Sequence, residues 1–389
     1  MRLGIVGGVL QGMEAAYLAG KAGYQTVVID RWDKAPALSI GDEAIVLDVV
    51  KDQAGARRVF SDCDAVIPAN ENIETLRSLD RMFRDLEVPL LFDMSAYEIS
   101  SSKVRSNGYL KGLGLPIPRP WPECGYPVVV KPSGQSGSVG VLRATNEAEL
   151  ESGISAIQRM NDDPVVQEFI DGPNISVEVI GDGIKAAPMV LTEILLDEAY
   201  DCRMVRCPLE GTTPELESIF GEYSRRLAEG LSLRGIMDVE AIVQDGVPKI
   251  LEIDARIPSQ TPAAVYHATG INLLERLVEA LVFDKLEEGP APHRGAAVYE
   301  HILVDSGIVR SCGEGSFSQV RDPRIEPGLF GSDEMITDYL PDKETWRATI
   351  ICSGRTSDEA WAKRLRCLER IQEHSDLASS QDRPTEVYP

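Results

Sequence analysis

The chain has 389 residues, 43% of them hydrophobic, and a formal net charge of −23. That length predicts two or three domains at roughly 100–200 residues each, and the acidic balance argues against non-specific nucleic-acid binding while favouring cationic small ligands such as diamino acids. No apolar run reaches the roughly 18–20 residues of a membrane helix, so no membrane partner is expected, and seven scattered cysteines without a CxxC pair predict reduced thiols rather than a disulfide or metal framework.

The N-terminal MRLGIVGGVLQG lacks the h-region and cleavage site of a signal peptide, so a cytoplasmic location is expected. It predicts a strand running into a turn. A helix over Met13–Ala22 and strands at QTVVID, CDAVIPAN and VPLLFD follow. Apolar runs separated by helical stretches imply a parallel sheet. Ligands bind outside the carboxyl ends of such strands, where Gly7–Gly12, Asp30, Asn70 and Glu71 fall. A helix is predicted from Ser100 to about Leu113, stopped by glycines. Pro116, Pro118, Pro120 and Pro122 then make a connector.

Strands at PVVQEFI, ISVEVIGD and IKAAPMVLTEILL follow an acidic helix over Glu147–Arg159. A helix is predicted over Pro214–Leu231, then a hairpin, GIMDVEAIVQDGVPKILEIDARI, turning at Asp245-Gly246. A helix over Ile271–Phe283 comes next. Beyond EEGPAPHRG we expect short strands, a last helix over Asp358–Glu373 and a mobile tail from Ser375.

The stretch VVVKPSGQSGSVGV, 128–141, places three glycines and three serines between two strands. Glycine lets backbone N–H groups approach an anion closely, and serine hydroxyls add donors. Gly134, Ser136, Gly137, Ser138 and Gly140 are thus candidates to close over phosphates; the bland alternative is a disordered surface hairpin. Lys131 follows three valines on a buried strand. A buried lysine needs a counter-charge, and a nucleotide phosphate supplies one.

In KILEIDARI, side-chain alternation puts Glu252, Asp254 and Arg256 on one face, with Leu251, Ile253 and Ala255 on the other. Asp238 lies on the partner strand. Clustered carboxylates repel; magnesium removes that cost and shares its remaining sites with phosphates. A solvated face with a local salt bridge is the alternative. In VVQEFIDGPN, backbone groups of Glu168 and Ile170 could meet an adenine edge, although an ordinary strand end explains that stretch equally well.

Together these pieces resemble the ATP-grasp ligases. The likeness rests on the N-terminal four-strand unit, SSKVRSN, VVVKPSGQSGSVG, QEFIDG and MDVEAIV…LEIDARIPSQTP, in that order. It implies an α/β (α+β) fold: a parallel-sheet domain at 1–94, a first antiparallel subdomain at 95–166 and a second with a C-terminal extension at 167–389, clasping ATP. It further implies Lys103 and Lys131 on the phosphates under a Ser133–Gly140 loop. Gln167, Glu168, Phe169 and Ile170 would meet adenine, and Asp238, Glu252 and Asp254 would hold two magnesium ions. Asn174 stands where many relatives carry a ribose-binding glutamate, and Asp254 where asparagine is common.

Within the family, GGVLQGMEAAYLA, LLFDMSAYEISSSK, ARIPSQTPAAVYHATGIN and YEHILV resemble the ligases of pyrrolysine biosynthesis. This implies joining of (3R)-3-methyl-D-ornithine to the ε-amine of L-lysine through an acyl phosphate. Lys131 and Arg256 would act at the reacting groups. Ser176 and Glu178 alternate toward the cleft, with Glu178 available for an ornithine ammonium. Arg256, Ser259, Gln260 and Thr261 would hold the reacting carboxylate, and Leu10, Gln11 and Glu71 would receive lysine. His267 and His301 are expected to be structural. Competing expectations are another ATP-grasp ligase or carboxylase-like enzyme, a non-catalytic nucleotide-binding module and a nicotinamide-dependent dehydrogenase. The last is weakened by Val9, which breaks the glycine fingerprint.

Overall fold

A computed structural model describes residues 1–287 and 295–378. The predicted connector EEGPAPHRG and the tail fall largely outside the described residues.

The first unit contains β1 (Arg2–Val6), α1 (Leu10–Lys21), β2 (Gln25–Asp30), β3 (Glu43–Val46), α2 (Gln53–Ser61), β4 (Ala65–Pro68) and α3 (Ile73–Phe83). Its four strands are parallel in the order β3-β2-β1-β4. Two expectations change here. The fourth strand is EAIV, a short, mostly exposed edge, whereas VPLLFD makes one bridge, Leu90 to Val66. Edge strands need little apolar character, which hides them from hydrophobic patterning.

A further helix not predicted from the sequence, α4 (Met94–Ser100), precedes the predicted Ser100–Leu113 helix, which is α5 (Lys103–Gly112). Asp93 caps the first and Ser102 the second, the Ser102 hydroxyl accepting from the Arg105 amide at 3.4 Å. The break between them puts Lys103 at the first position of α5.

Next come β5 (Val128–Pro132), β6 (Leu142–Ala144), α6 (Glu147–Arg159) and β7 (Pro164–Glu168), with the strands forming an antiparallel sheet in the order β6-β5-β7. Then follow β8 (Asn174–Asp182), β9 (Ala186–Pro188), β10 (Thr192–Leu196), β11 (Cys202–Cys207), α7 (Pro214–Gly230), β12 (Arg234–Gln244), β13 (Val247–Asp254), α8 (Thr261–Thr269) and α9 (Leu273–Val282). The chain continues through β14 (Ala296–Asp305), β15 (Ile308–Ser311), α10 (Glu314–Phe317), β16 (Arg324–Pro327), β17 (Glu334–Thr337), β18 (Thr345–Gly354) and α11 (Ser357–Ala378). Among the described residues, the eleven strands from β8 onward make one antiparallel sheet with the main order β13-β12-β8-β10-β11-β14-β18-β17-β16. The C-terminal strands are therefore not all short: β14 and β18 span ten residues each and carry the sheet onward.

Asp245 and Gly246 both have positive φ, 52° and 77°, the geometry of a tight two-residue hairpin turn. The largest core packs α1 of the first unit against α8, α9 and the long sheet, through Leu18, Ala264, Leu274 and Ile351 among others. The sheet is tied to α11 by Arg364, which meets Glu300 through paired contacts at 2.6 and 2.7 Å, both side chains buried. The site described next lies on the face of the long sheet covered by the glycine loop.

Candidate active site

β5 delivers Lys131 to the mouth of the loop, where its Nζ donates to the Leu251 carbonyl of β13 at 3.2 Å. The Nζ of Lys103 lies 2.6 Å from the Gln135 carbonyl in the loop and 2.6 Å from Glu252 Oε1. One lysine thus joins α5, the glycine loop and the acidic hairpin. Burial pushes Lys131 down to about 8, with Lys103 adding repulsion and Glu252 opposing the shift.

Lys103, Lys131, Asp238, Glu252 and Asp254 line one cavity of about 560 Å3, within the size range of small-ligand pockets. Ser136, Gly137 and Ser138 line it from the loop, Gln167 and Glu168 from the end of β7, Phe169 and Ile170 from the turn into β8, Asn174 from the start of β8, and Arg256, Ser259, Gln260 and Thr261 from the segment after β13. The Glu168 carboxylate is engaged by Arg119 at 2.7 Å and Lys249 at 2.5 Å, leaving its backbone as the part facing a ligand.

Several candidates stand elsewhere. Ser133 is buried and ties the loop to α5: its hydroxyl is 3.0 Å from Ser102 Oγ and accepts from the Val104 amide at 3.2 Å. Gly134 and Gly140 flank the lining residues without joining them, the Gly134 amide donating to Asp162 at 3.1 Å. Leu10 packs on the largest core. Asp30 accepts from the amides of Gly8 at 2.7 Å and Trp32 at 2.8 Å, so its carboxylate shapes the first turn.

Alternation along β8 aims Ser176 and Glu178 at the acidic face, as Glu178 pairs in register with Asp238. Both are fully buried and neither is on the cavity wall. Ser176 donates to Asp238, and Thr261 lies over Glu178. Among the described residues, neither Glu178 oxygen has a hydrogen-bond partner. Burial, then the charge of Asp238, pushes Glu178 up to about 8.

The hairpin departs from simple alternation. The register pairs Glu240 with Glu252 but Ala241 with Ile250. Leu251 is the extra residue of a β-bulge, which brings Leu251 to the cavity beside Glu252 rather than to the opposite face. The register also exposes a missed carboxylate: Glu240 faces Glu252 and lines the cavity. Period two from Asp238 was the available signal.

Burial pushes Glu240 well up, Asp254 to about 7 and Asp238 to about 6, with neighbouring carboxylates adding to each shift. Among the described residues, no three His, Cys, Asp or Glu side chains form a ready metal cage; Glu252 is paired to Lys103 and Asp254 to Arg256, at 2.9 Å. The donor set nevertheless fits a hard divalent cation, being carboxylate oxygens crowded at the cost of mutual repulsion. Arg256 also meets Glu71 at 2.6 Å. Glu71 accepts from Gln11 at 2.8 Å and from Ser136 of the loop. Burial works against its ionisation, but Arg256 and these donors hold its carboxyl below the usual range.

A model of the ATP-grasp domain matches residues 100–260. The 3-methyl-D-ornithine–L-lysine ligase of Methanosarcina barkeri is 36% identical over 371 residues, covering 95% of this chain and 97% of its own. The chain belongs to the 3-methyl-D-ornithine–L-lysine ligase family of ATP-grasp enzymes. The ligase of that name from Methanosarcina acetivorans is 37% identical, covering 92% of this chain and 94% of its own. The biotin carboxylase domain of the Hydrogenobacter thermophilus 2-oxoglutarate carboxylase, solved with MgADP, shares the fold at a TM-score of 0.72 and 16% identity, covering 95% of this chain and 89% of its own.

In this ligase fold, the segment carrying Ser259, Gln260 and Thr261 is fixed from below by α1. Glu14, 2% exposed, accepts from the Ala263 amide at 2.6 Å and caps the start of α8. Burial pushes it up to about 7. A folded pKa above the ordinary 4.5 means that the folded state holds the proton more tightly. The contribution of Glu14 to stability is therefore fully present below about pH 4.5 and is lost as pH rises to about 7, by about 3 kcal/mol. Glu14→Gln keeps an acceptor for Ala263 without that loss. The variant should melt above the parent at pH 8 and close to it at pH 4.5, as scanning calorimetry at the two pH values would show.

Proposed function

We propose that this protein joins the carboxylate of (3R)-3-methyl-D-ornithine to the ε-amine of L-lysine, at the expense of ATP, through an acyl phosphate, in pyrrolysine biosynthesis. The observation that carries this reading is the convergence of Lys103, Lys131 and the hairpin carboxylates on one cavity, in a chain of this ligase family. We divide it at 1–94, 95–166 and 167–389, and place it in the cytoplasm.

Adenine lies against Gln167, Glu168, Phe169 and Ile170, with Asn174 near the ribose. Lys103 and Lys131 hold the phosphates beneath Ser136, Gly137 and Ser138. Glu240, Glu252 and Asp254, with Asp238 behind them, would hold two magnesium ions, which would offset charge on the transferring phosphoryl group. Arg256, Ser259, Gln260 and Thr261 orient the reacting carboxylate, a planar group matched to a guanidinium. Closure of the loop, through the Ser136–Glu71 contact, excludes water from the acyl phosphate. Gln11 and Glu71 receive the amino-acid end of lysine, and Glu178, beneath Thr261, balances an ornithine ammonium from below.

Release of ADP from Mg-ATP tests this. Turnover should require a D-ornithine-type acid and L-lysine together. Turnover with bicarbonate, or with neither amino acid, would contradict it.

A further inference from the structure

Glu314 was not legible as a site residue, and no step above uses it. It begins α10, far along the chain from the hairpin, yet it lines the cavity. Its Oε2 accepts from Ser259 Oγ at 3.2 Å and Gln260 Nε2 at 3.0 Å. Gln260 is itself 2% exposed and held from behind by Cys202, whose Sγ is 2.9 Å from its Oε1. The carboxylate is thus fixed by a side chain that cannot turn freely. Its other oxygen, Oε1, lies under the tip of the glycine loop, 3.7 Å from where a Cβ on Gly137 would stand.

A second carboxylate stands behind it. Asp201 accepts from the Gly315 amide at 3.0 Å, and a Cβ on Gly313 would fall 2.1 Å from Asp201 Oδ2, so a side chain there would displace Asp201. The cavity's cations are engaged elsewhere: Lys103 with Glu252, Lys131 with the Leu251 carbonyl, Arg203 with the Leu196 carbonyl and Ser311 Oγ, and Arg256 with Glu71 and Asp254. Among the described residues, none forms an ion pair with Glu314. A half-buried carboxylate backed by another and lacking a cation calls for one from the ligand. Glu314 thus stands between the loop tip and the segment after β13, beside the residues to which the reading above gives the reacting carboxylate.

We infer that Glu314 binds the attacking ammonium of the acceptor amino acid and takes its proton. This rests on the amide-ligase reading above. In the step, Glu314 removes one proton from the ammonium, freeing the nitrogen lone pair. Nitrogen attacks the acyl carbon and forms the C–N bond. The C–O bond to phosphate then breaks, and nitrogen's second proton leaves with the phosphate as hydrogen phosphate. Glu314 returns its proton to water. Burial and Asp201 raise the affinity of Glu314 for a proton, which suits this task; Arg256 opposes the shift and Glu71 adds to it. Glu240, Cys202 and Tyr299 are the other titratable groups that sense it.

The test compares two acceptors in the full-length enzyme with Mg-ATP and D-ornithine. Hydroxylamine is neutral at pH 7.5 and needs neither an ammonium site nor a base; its hydroxamate reports the acyl phosphate. In Glu314→Gln, which keeps an acceptor for Ser259 and Gln260, the ratio of lysine product to hydroxamate should fall at least thirtyfold. KM for lysine should rise at least tenfold, and Glu314→Asp should restore part of the ratio. Equal loss with both acceptors, or an unchanged ratio, would overturn the assignment. Absence of hydroxamate from the parent enzyme would overturn the acyl-phosphate reading itself, and the assignment with it.

Discussion

Lys131→Met should lower ATP turnover by about a thousandfold and, at pH 7, raise the melting temperature by several degrees. The two effects have one cause. Lys131 is 6% exposed, with a carbonyl as its hydrogen-bond partner, and burial pushes it down to about 8. A depressed folded pKa means that the folded state holds this proton less tightly than the unfolded chain. Charging Lys131 therefore opposes folding below about pH 8, by about 3 kcal/mol, and that cost fades as pH rises toward 10.5. Methionine fills the space without the charge. In turnover the same charge is needed, because a phosphoryl group moving in a water-poor cleft is stabilised by preorganised cations. Function is thus held against stability at this position. Steady-state ADP release and calorimetry at pH 7 and 10 check both halves; retained turnover would contradict the phosphate role.

Removal of Arg256 should be the most damaging single change. Its guanidinium meets Glu71 at 2.6 Å and Asp254 at 2.9 Å. Those carboxylates hold its proton more tightly than usual, despite burial. Arg256→Ala leaves the half-buried Glu71 and Asp254 without their cation, which should destabilise the fold, though by less than breaking a fully buried pair, and abolish turnover. Arg256→Lys separates structure from chemistry. An ammonium keeps the charge but cannot present a planar fork to two carboxylates and a substrate. That variant should fold, melting nearer the parent than the alanine variant, while KM for the ornithine-type acid rises at least tenfold. Parent-like kinetics in Arg256→Lys would contradict the role given to this side chain.

The central parts of this site were readable because they obey local rules. Valine runs marked β5 and β7, Asp245-Gly246 marked the hairpin, and Gly137 and Ser138 announced the loop. Period-two alternation aligned Asp238, Glu252 and Asp254 on one face. The same rule misplaced Leu251, because a bulge shifts the register after Glu240. It put Glu178 on the correct face of the sheet but could not show that the segment through Thr261 covers it. Edge strand β3 was missed because EAIV is too polar and short to stand out. Helix α8 was missed because PAAVYHAT follows directly on the metal-hairpin motif. Glu314 had no local signal: it reaches Ser259 and Gln260 across more than fifty residues of chain.

The central claim is that this cleft passes a phosphoryl group to a carboxylate before an amine attacks. Transfer of isotopic oxygen tests it most directly. With D-ornithine carrying 18O in its carboxylate, plus L-lysine and Mg-ATP, mass spectrometry should find one 18O in inorganic phosphate for every ADP formed. Phosphate without 18O, at undiminished amide yield, would show that no acyl phosphate forms and would contradict the account.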